Sequence, residues 1–282
     1  MDQPTILVTG GTGKTGRRIV ERLVQLGHPV KLASRSGQAA GGAGAARFDW
    51  NDAGTYDAAL AGVGRVYLMA PVGAPDPYPV MAELIDRALK SGVRRFVLLS
   101  ASSLPEGGPA IGAVHGLLRQ VAPEWAVLRP TWFMQNFSEQ QHRATIRDEG
   151  RIYSATGQGR VPFVDADDIA EVGVRALVDE RAHDTDHVIT GPEAMSYGQA
   201  ADVIAEVLGR PVRHVDLSED ALTERHAALG MEPAYARLLA GMDTAIAGGS
   251  EDRTTDTVAR VTGRPPRSFR EFVRAAAAAW QR

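Results

Sequence analysis

Thr5-Ile6-Leu7-Val8-Thr9-Gly10-Gly11-Thr12-Gly13-Lys14-Thr15-Gly16-Arg17 is the stretch whose reading decides the fold. Thr5 to Val8 is a short apolar, β-branched run closed by a turn signal, which predicts a buried strand. Beyond the glycines, Ile19, Val20, Leu23 and Val24 recur at helical spacing and predict an amphipathic helix. Gly10, Gly13 and Gly16 therefore fall on a tight strand-to-helix turn. The first allows the turn, the second lets a pyrophosphate reach bare backbone, and the third lets helix and strand pack closely. The helix N-terminus turns amide N–H groups and the positive end of its dipole toward those phosphates. The stretch is a dinucleotide site, with Thr12, Lys14 and Thr15 joining the glycines as its expected contacts.

The spacing is GxxGxxG, and the context that such a motif needs is present, with a strand before it and a helix after it. A triphosphate loop would need a glycine five residues before the Gly13-Lys14-Thr15 tripeptide, and position 8 is Val8. The triphosphate reading fails on that residue.

Working outward, Val30-Lys31-Leu32-Ala33-Ser34 follows a turn at Gly27-His28-Pro29 and reads as the second strand. A site for NADH would end this strand with a carboxylate for the ribose 2′-hydroxyl. Ser34-Arg35-Ser36 stands there instead. A guanidinium flanked by hydroxyls attracts a 2′-phosphate and can hold it bidentately, so NADP is the expected cofactor and Arg35 its marker. Arg47 to Trp50 reads as a third strand. Asp49 either accepts from the adenine amino group, with Trp50 packed beside it, or caps the next helix. Val66 to Met69 reads as the fourth strand, ending at Pro71, which puts Met69, Ala70 and Pro71 at a carboxyl end where ligands bind in open α/β sheets. A helical stripe from Val80 to Leu89 precedes a fifth strand, Phe96 to Ser100. Val114, Leu117, Leu118 and Val121 mark a further helix, and Ala126 to Leu128 a sixth strand closed by Arg129-Pro130. Strands and helices alternate throughout, which predicts an α/β fold with a doubly wound parallel sheet of the Rossmann type.

At 282 residues the chain exceeds a typical single domain. The expected division is a nucleotide-binding domain over residues 1-190 and a smaller, mostly helical cap that helps bind substrate over 191-282. In the cap, Ser196 with Gln199 and Ser268 with Glu271 are spaced as capping boxes, and helices are expected near 197–208, 219–229, 233–247 and 268–280. A helix from Ile169 to Val178 and a strand from His187 to Thr190 precede it. Trp132, Phe133 and Phe137 leave the sixth strand together and suit an apolar substrate wall or ordinary interdomain core. Tyr153 joins them as a candidate substrate contact.

Hydrophobic residues make up 44% of the chain and charged residues 23%, as in ordinary globular proteins. The net charge of -3 argues against a nucleic-acid surface. With no cysteine, disulfides, a thiolate zinc site and a cysteine nucleophile are excluded, and no metal is expected. Neither a leader peptide nor an apolar run of membrane-spanning length is visible, so the expectation is a cytoplasmic protein without a membrane partner, a monomer or homodimer acting on a small molecule.

Four segments carry a resemblance: Thr9 to Gly16, Leu128 to Phe137, Val161 to Ala170, and Thr262-Gly263-Arg264-Pro265-Pro266. Together they resemble the NmrA-like branch of the atypical short-chain dehydrogenases/reductases. Within it, the chain looks most like bacterial members named after ergot-alkaloid iminium reductases of the festuclavine dehydrogenase type, and more distantly like the NADPH:quinone reductases of the branch. The resemblance implies NADP(H) in the groove above the strand ends, its nicotinamide and carboxamide near Pro130 to Phe133, and a small C-terminal domain closing over the substrate.

Most of the wider superfamily uses a tyrosine with a lysine four residues on, the lysine lowering the tyrosine pKa. None of the six tyrosines here has one, and the helix from Gly112 to Gln120, where some members of the branch place a lysine, offers His115 instead. His115 reads either as a general acid or as a packing residue. Ser100 and Ser102 lie at the end of the fifth strand, where the superfamily's serine stands; Ser102 is taken as the catalytic one and Ser100 as a cofactor contact, with Pro130. Two functions follow. One is an NADPH-dependent reductase of an imine or iminium, a quinone or an activated carbonyl, relying on positioning. The other is an NADP(H)-binding regulator that performs no chemistry.

Overall fold

A computed structural model of the chain describes residues 3–74 and 76–281. The first 130 residues lay down β1 (Thr5–Val8), α1 (Lys14–Gln25), β2 (Val30–Ser34), β3 (Gly44–Arg47), α2 (Tyr56–Leu60), β4 (Val63–Leu68), α3 (Tyr78–Lys90), β5 (Arg95–Leu99), α4 (Ile111–Val121) and β6 (Glu124–Pro130). A second stretch holds α5 (Gln135–Ser138), α6 (Arg143–Glu149), β7 (Arg151–Ser154) and β8 (Arg160–Val161). Next come α7 (Ala166–Val178) and β9 (Thr185–Ile189). The chain ends with β10 (Met195–Ser196), α8 (Tyr197–Leu208), β11 (Arg213–Asp216), α9 (Glu219–Ala228), α10 (Pro233–Ala247), α11 (Thr257–Thr262) and α12 (Phe269–Ala276).

By their contacts these elements form two units. The first is Met1–Pro130 with Ala166–Ile189 and Arg260–Gly263; the second is Thr131–Asp165, Thr190–Ala259 and Arg264–Arg282. Unlike the single expected boundary after residue 190, this division is interleaved. The reason is local: β9 pairs with the far edge of β6, from Ala126↔Thr185 to Pro130↔Ile189, and α7 meets α1 through Arg18–Asp167 and Arg22–Glu171 ion pairs. Residues 166–189 therefore finish the first unit before the chain returns to the second.

The first unit is a seven-stranded sheet in the order β3-β2-β1-β4-β5-β6-β9, every pairing parallel. The order reverses between β1 and β4, which opens the crevice where open α/β sheets take ligands. Ile6, Leu7 and Val8 are fully buried, as a central strand covered on both faces requires. Ile19, Val20 and Leu23 form the buried face of α1. The third strand is shorter and earlier than expected. Its ladder with β2 ends at Ser34↔Arg47, the Phe48 amide still donates to Ser34 O at 3.0 Å, and Asp49 turns away into an isolated bridge with Asp52.

The second unit is mostly helical, with two small ladders, β7 beside β11 and β8 beside β10. Both capping boxes are formed, Ser196 with Gln199 and Ser268 with Glu271. The helix expected to run to residue 280 is α over Phe269–Ala276 and tightens to a 3-10 turn over Ala277–Trp280. Its terminal Trp280 is buried and donates Nε1–H to Phe137 O at 2.8 Å. No helix among the described residues is long and apolar enough to cross a membrane.

Candidate functional site

The loop between β1 and α1 is shaped by close approaches that only glycine permits. Gly10 has φ +61°, and a Cβ there would lie 2.4 Å from Met69 Cε. A Cβ on Gly16 would lie 2.2 Å from Gly10 O, so the third glycine lets the helix sit on the loop's own first residue. Gly13 is the N-cap of α1, with no side chain capping it and no acidic residue in the first helical turn. Such a terminus favours an anion. Gly11, given no task in the sequence reading, also needs its missing Cβ, which would fall 2.8 Å from Leu32 Cγ on β2.

Thr9 fastens this loop to the neighbouring strand. Its hydroxyl donates to Tyr67 O at 3.0 Å and accepts from the Met69 amide at 2.8 Å, which holds Met69 against Gly10. Tyr67 OH in turn donates to Thr15 Oγ1 at 3.0 Å, both residues being buried. Thr15, expected as a cofactor contact, thus spends its hydroxyl inside the fold and has only backbone to offer. Burial also drives the Tyr67 pKa up.

A cavity of about 280 Å³ opens beside the loop and gathers most of the expected residues: Gly10, Thr12, Arg35, Asp49, Trp50, Met69, Ala70 and Pro71. Ala33, Ser34, Phe48, Asn51 and Val72 complete its wall. Gly13, Lys14 and Gly16 follow Thr12 directly in the loop and the first turn of α1. Arg35 is exposed just past β2, beside a Ser34 Oγ···Ser36 Oγ contact of 3.3 Å, and has no ion-pair partner among the described residues. Asp49 is not the helix cap. That role falls to Asp52, whose side chain accepts from the Gly54 amide. Asp49 Oδ1 accepts from the Asn51 amide at 3.0 Å. Trp50 stands edge-on to Phe48, ring centroids 4.9 Å apart.

At the carboxyl end of β5, the Ser100 amide donates to Leu128 O at 2.7 Å and the Ser102 amide to Pro130 O at 3.0 Å. The Ser100 hydroxyl is buried without a partner. Ser102, chosen from sequence as the catalytic serine, is itself buried, and its carbonyl accepts from Arg129 Nη2 at 3.0 Å. His115 does not reach the cavity. It is 1% exposed, its ring lies 5.7 Å from that of Trp125, the second residue of β6, and both ring nitrogens lack partners. Burial lowers its pKa, and the enclosed ring suits the packing reading.

The tyrosine hydroxyls have other partners than lysine: Tyr56 donates to Trp50 O and Tyr153 to Glu149 Oε2. Lys31 donates to Ala61 O and Lys90 pairs with Asp86.

In the second unit, Trp132 and Tyr153 line a separate, small cavity of about 20 Å³. Phe133 is half-buried and bridges to Val164. Phe137 lies in a core cluster of the second unit. It is fully buried among Phe163, Tyr197 and Phe269, with ring centroids 5.0 to 5.8 Å away. Two of the segments that carry the resemblance meet at Asp165, which accepts from Gln135 Nε2 at 3.0 Å and from Arg267 Nη1, one residue past a third such segment, at 2.9 Å. No group of three or more metal-ligating side chains occurs among the described residues.

The parallel sheet, the glycine cradle and the uncapped helix end define a dinucleotide-binding oxidoreductase of the Rossmann class. A family model described as NAD(P)H-binding matches residues 10–180. The chain is 48% identical to the uncharacterized oxidoreductase YesF of Bacillus subtilis, over 99% of this chain and 98% of that one. It is 38% identical to festuclavine dehydrogenase easG of Aspergillus fumigatus, over 99% of both. In fold it is similar to the NADPH-dependent quinone oxidoreductase QOR2 of Escherichia coli, solved with NADPH, at a TM-score of 0.82 and 21% identity, covering 95% of this chain and 98% of that one. The chain belongs to the NAD(P)H-binding, NmrA-like family of reductases.

Proposed function

We propose that this protein is an NADPH-dependent reductase delivering hydride to a small electrophile, an imine or iminium, a quinone or an activated carbonyl, without a Tyr–Lys dyad, and that it works in the cytoplasm as a monomer or homodimer. The observation that carries the reading is the exposed Arg35, without an ion-pair partner among the described residues, in one cavity with the glycine loop. A guanidinium between two serine hydroxyls suits a 2′-phosphate, while the glycine loop and the α1 N-terminus suit the pyrophosphate. Bound there, the cofactor supplies the hydride from its nicotinamide ring. Asp49 and Trp50 are assigned to the adenine end, and Pro130 with the orphan Ser100 hydroxyl to the nicotinamide end. Ser102 keeps the catalytic place read for it from the sequence.

Hydride acceptance by an iminium carbon, which already bears positive charge, needs no proton from the enzyme. That chemistry suits a chain in which Tyr56, Tyr153 and Tyr67 donate their hydroxyls to carbonyl, carboxylate and threonine partners and in which His115 is sealed from solvent. A quinone would take its proton from water. The relative named festuclavine dehydrogenase, at 38% identity, supports the reductase reading.

The test follows NADPH oxidation by absorbance against cyclic imines, quinones, enones and ketones, with cofactor binding measured alongside. Turnover of imines above the other classes is the expected result. Tight NADPH binding with no turnover across the panel would overturn the reductase reading in favour of a regulator.

A further inference from the structure

The small cavity of the second unit has an uneven charge pattern. Asp243, on α10, is 7% exposed and lines it. The only hydrogen bond that its carboxylate makes among the described residues comes from the Ala155 amide, to Oδ2 at 3.1 Å, and no arginine or lysine pairs with it there. The other titratable lining groups do not compensate it. Burial lowers the pKa of both His142 and His226, which leaves neutral imidazoles, and burial raises that of Tyr197. His142 also has its ring Nε2 buried without a partner. Trp132 and Tyr197 complete an aromatic wall, while the Tyr153 ring, which also lines the cavity, has the Arg225 guanidinium stacked 3.7 Å from its centroid. An enclosed carboxylate among neutral aromatic and imidazole rings is a setting for a cation, which gains from the charge and from the ring faces together.

We propose that this cavity is the subsite for a positively charged nitrogen of the substrate, with Asp243 as its counter-ion and Trp132 and Tyr197 as its wall. About 20 Å³ is room for a single water-sized group. The cavity therefore takes only the N–H or N-methyl end of an ammonium or iminium, and the remainder of the ligand lies outside it. Its description as a substrate subsite rests on the reductase reading above; cation binding itself does not. Burial lifts the Asp243 carboxyl to about 6, so at pH 7.5 it is charged, and holding that charge works against the fold.

The test uses the full chain and its Asp243→Asn variant, which can still accept from Ala155 N–H and differs in charge. An N-methylated cyclic amine, cationic at pH 7.5, and its uncharged lactam are titrated calorimetrically with NADPH present. The wild type is expected to bind the cation at least tenfold tighter than the lactam, and the variant to lose at least tenfold in that ratio while unfolding no earlier than wild type on heating. Trp132→Leu, which leaves the carboxylate in place, should weaken the cation at least threefold. Equal ratios in wild type and Asp243→Asn would overturn the subsite, as would a wild type indifferent to charge, the mark of a water cavity. If imines are turned over, the KM of cationic ones should rise at least tenfold in the variant with kcat within a few-fold. Loss of cation affinity in a protein that reduces no imine would leave the subsite standing and remove the imine reading alone.

Discussion

Asp165 Oδ2 accepts a hydrogen bond from Arg267 Nη1 at 2.9 Å across 102 residues of chain, and its carboxylate is wholly buried. The segment that gives Asp165 and the segment just before Arg267 both carried the resemblance to the reductase family, yet their meeting point is a strut, not chemistry. Gln135, from a third such segment, fills the other carboxylate oxygen.

Asp165→Ala should therefore cost about 2 kcal/mol, since it removes a buried carboxylate and leaves the buried Gln135 amide without that acceptor, while the Arg267 side chain, 40% exposed, can turn to water. Urea titration followed by circular dichroism measures it. NADPH affinity in the folded fraction should stay within about threefold. A variant as stable as wild type would show that the ion pair holds nothing together.

Arg35→Ala should lower NADPH affinity at least tenfold and change NADH affinity little, because only the 2′-phosphate distinguishes the two at this place. Wild type should prefer NADPH by the same margin. Fluorescence titration with both cofactors decides it, and equal affinities in wild type would put the 2′-phosphate elsewhere or show that the site ignores it.

His115 has two buried nitrogens with no partner, and removing an unsatisfied polar group in favour of an apolar one of similar size is neutral or stabilising. His115→Leu should accordingly unfold at the same or a higher urea concentration, with turnover within about twofold of wild type. A hundredfold loss of turnover with unchanged stability would restore the acid role that the sequence allowed.

Much of the nucleotide-binding unit was legible in the chain because its signals are local. The alternation at Val30–Ser34, the glycine spacing and the two capping boxes each need only neighbouring residues, and each is found where it was read. The third strand was misplaced because Gly44-Ala45-Ala46 has no β-branched residue to mark it, while aromatic Phe48 and Trp50 attracted the reading. What could not be read is pairing at a distance. Thr9 meets Tyr67 because β1 and β4 are neighbours in the sheet, and Phe137 is sealed by Phe163, Tyr197 and Phe269 from three other segments. The cavity at Asp243 is built from residues scattered between positions 132 and 243, so no spacing announces it.

Acid should weaken the fold through its buried histidines. Burial lowers the pKa of His142 to about 3 and that of His187 to about 4, against about 6.5 for an unperturbed histidine. Below pH 6.5 the unfolded chain takes up protons that these two rings refuse, so their contribution is fully present above that pH and declines as pH falls. The slope is about 1.4 kcal/mol per pH unit for each ring. Asp243 acts in the opposite sense: its carboxyl, raised to about 6, takes a proton more readily in the folded state and returns some stability below that pH. From pH 7.5 to 5.5 the two histidines outweigh it by about 2 kcal/mol, and His115, His214 and His226, also lowered by burial, add to the loss. Urea midpoints at the two pH values measure this, and His142→Phe should remove about 1 kcal/mol of the drop. A flat profile would mean that both rings gain protons in the folded protein as easily as in water, against their enclosure.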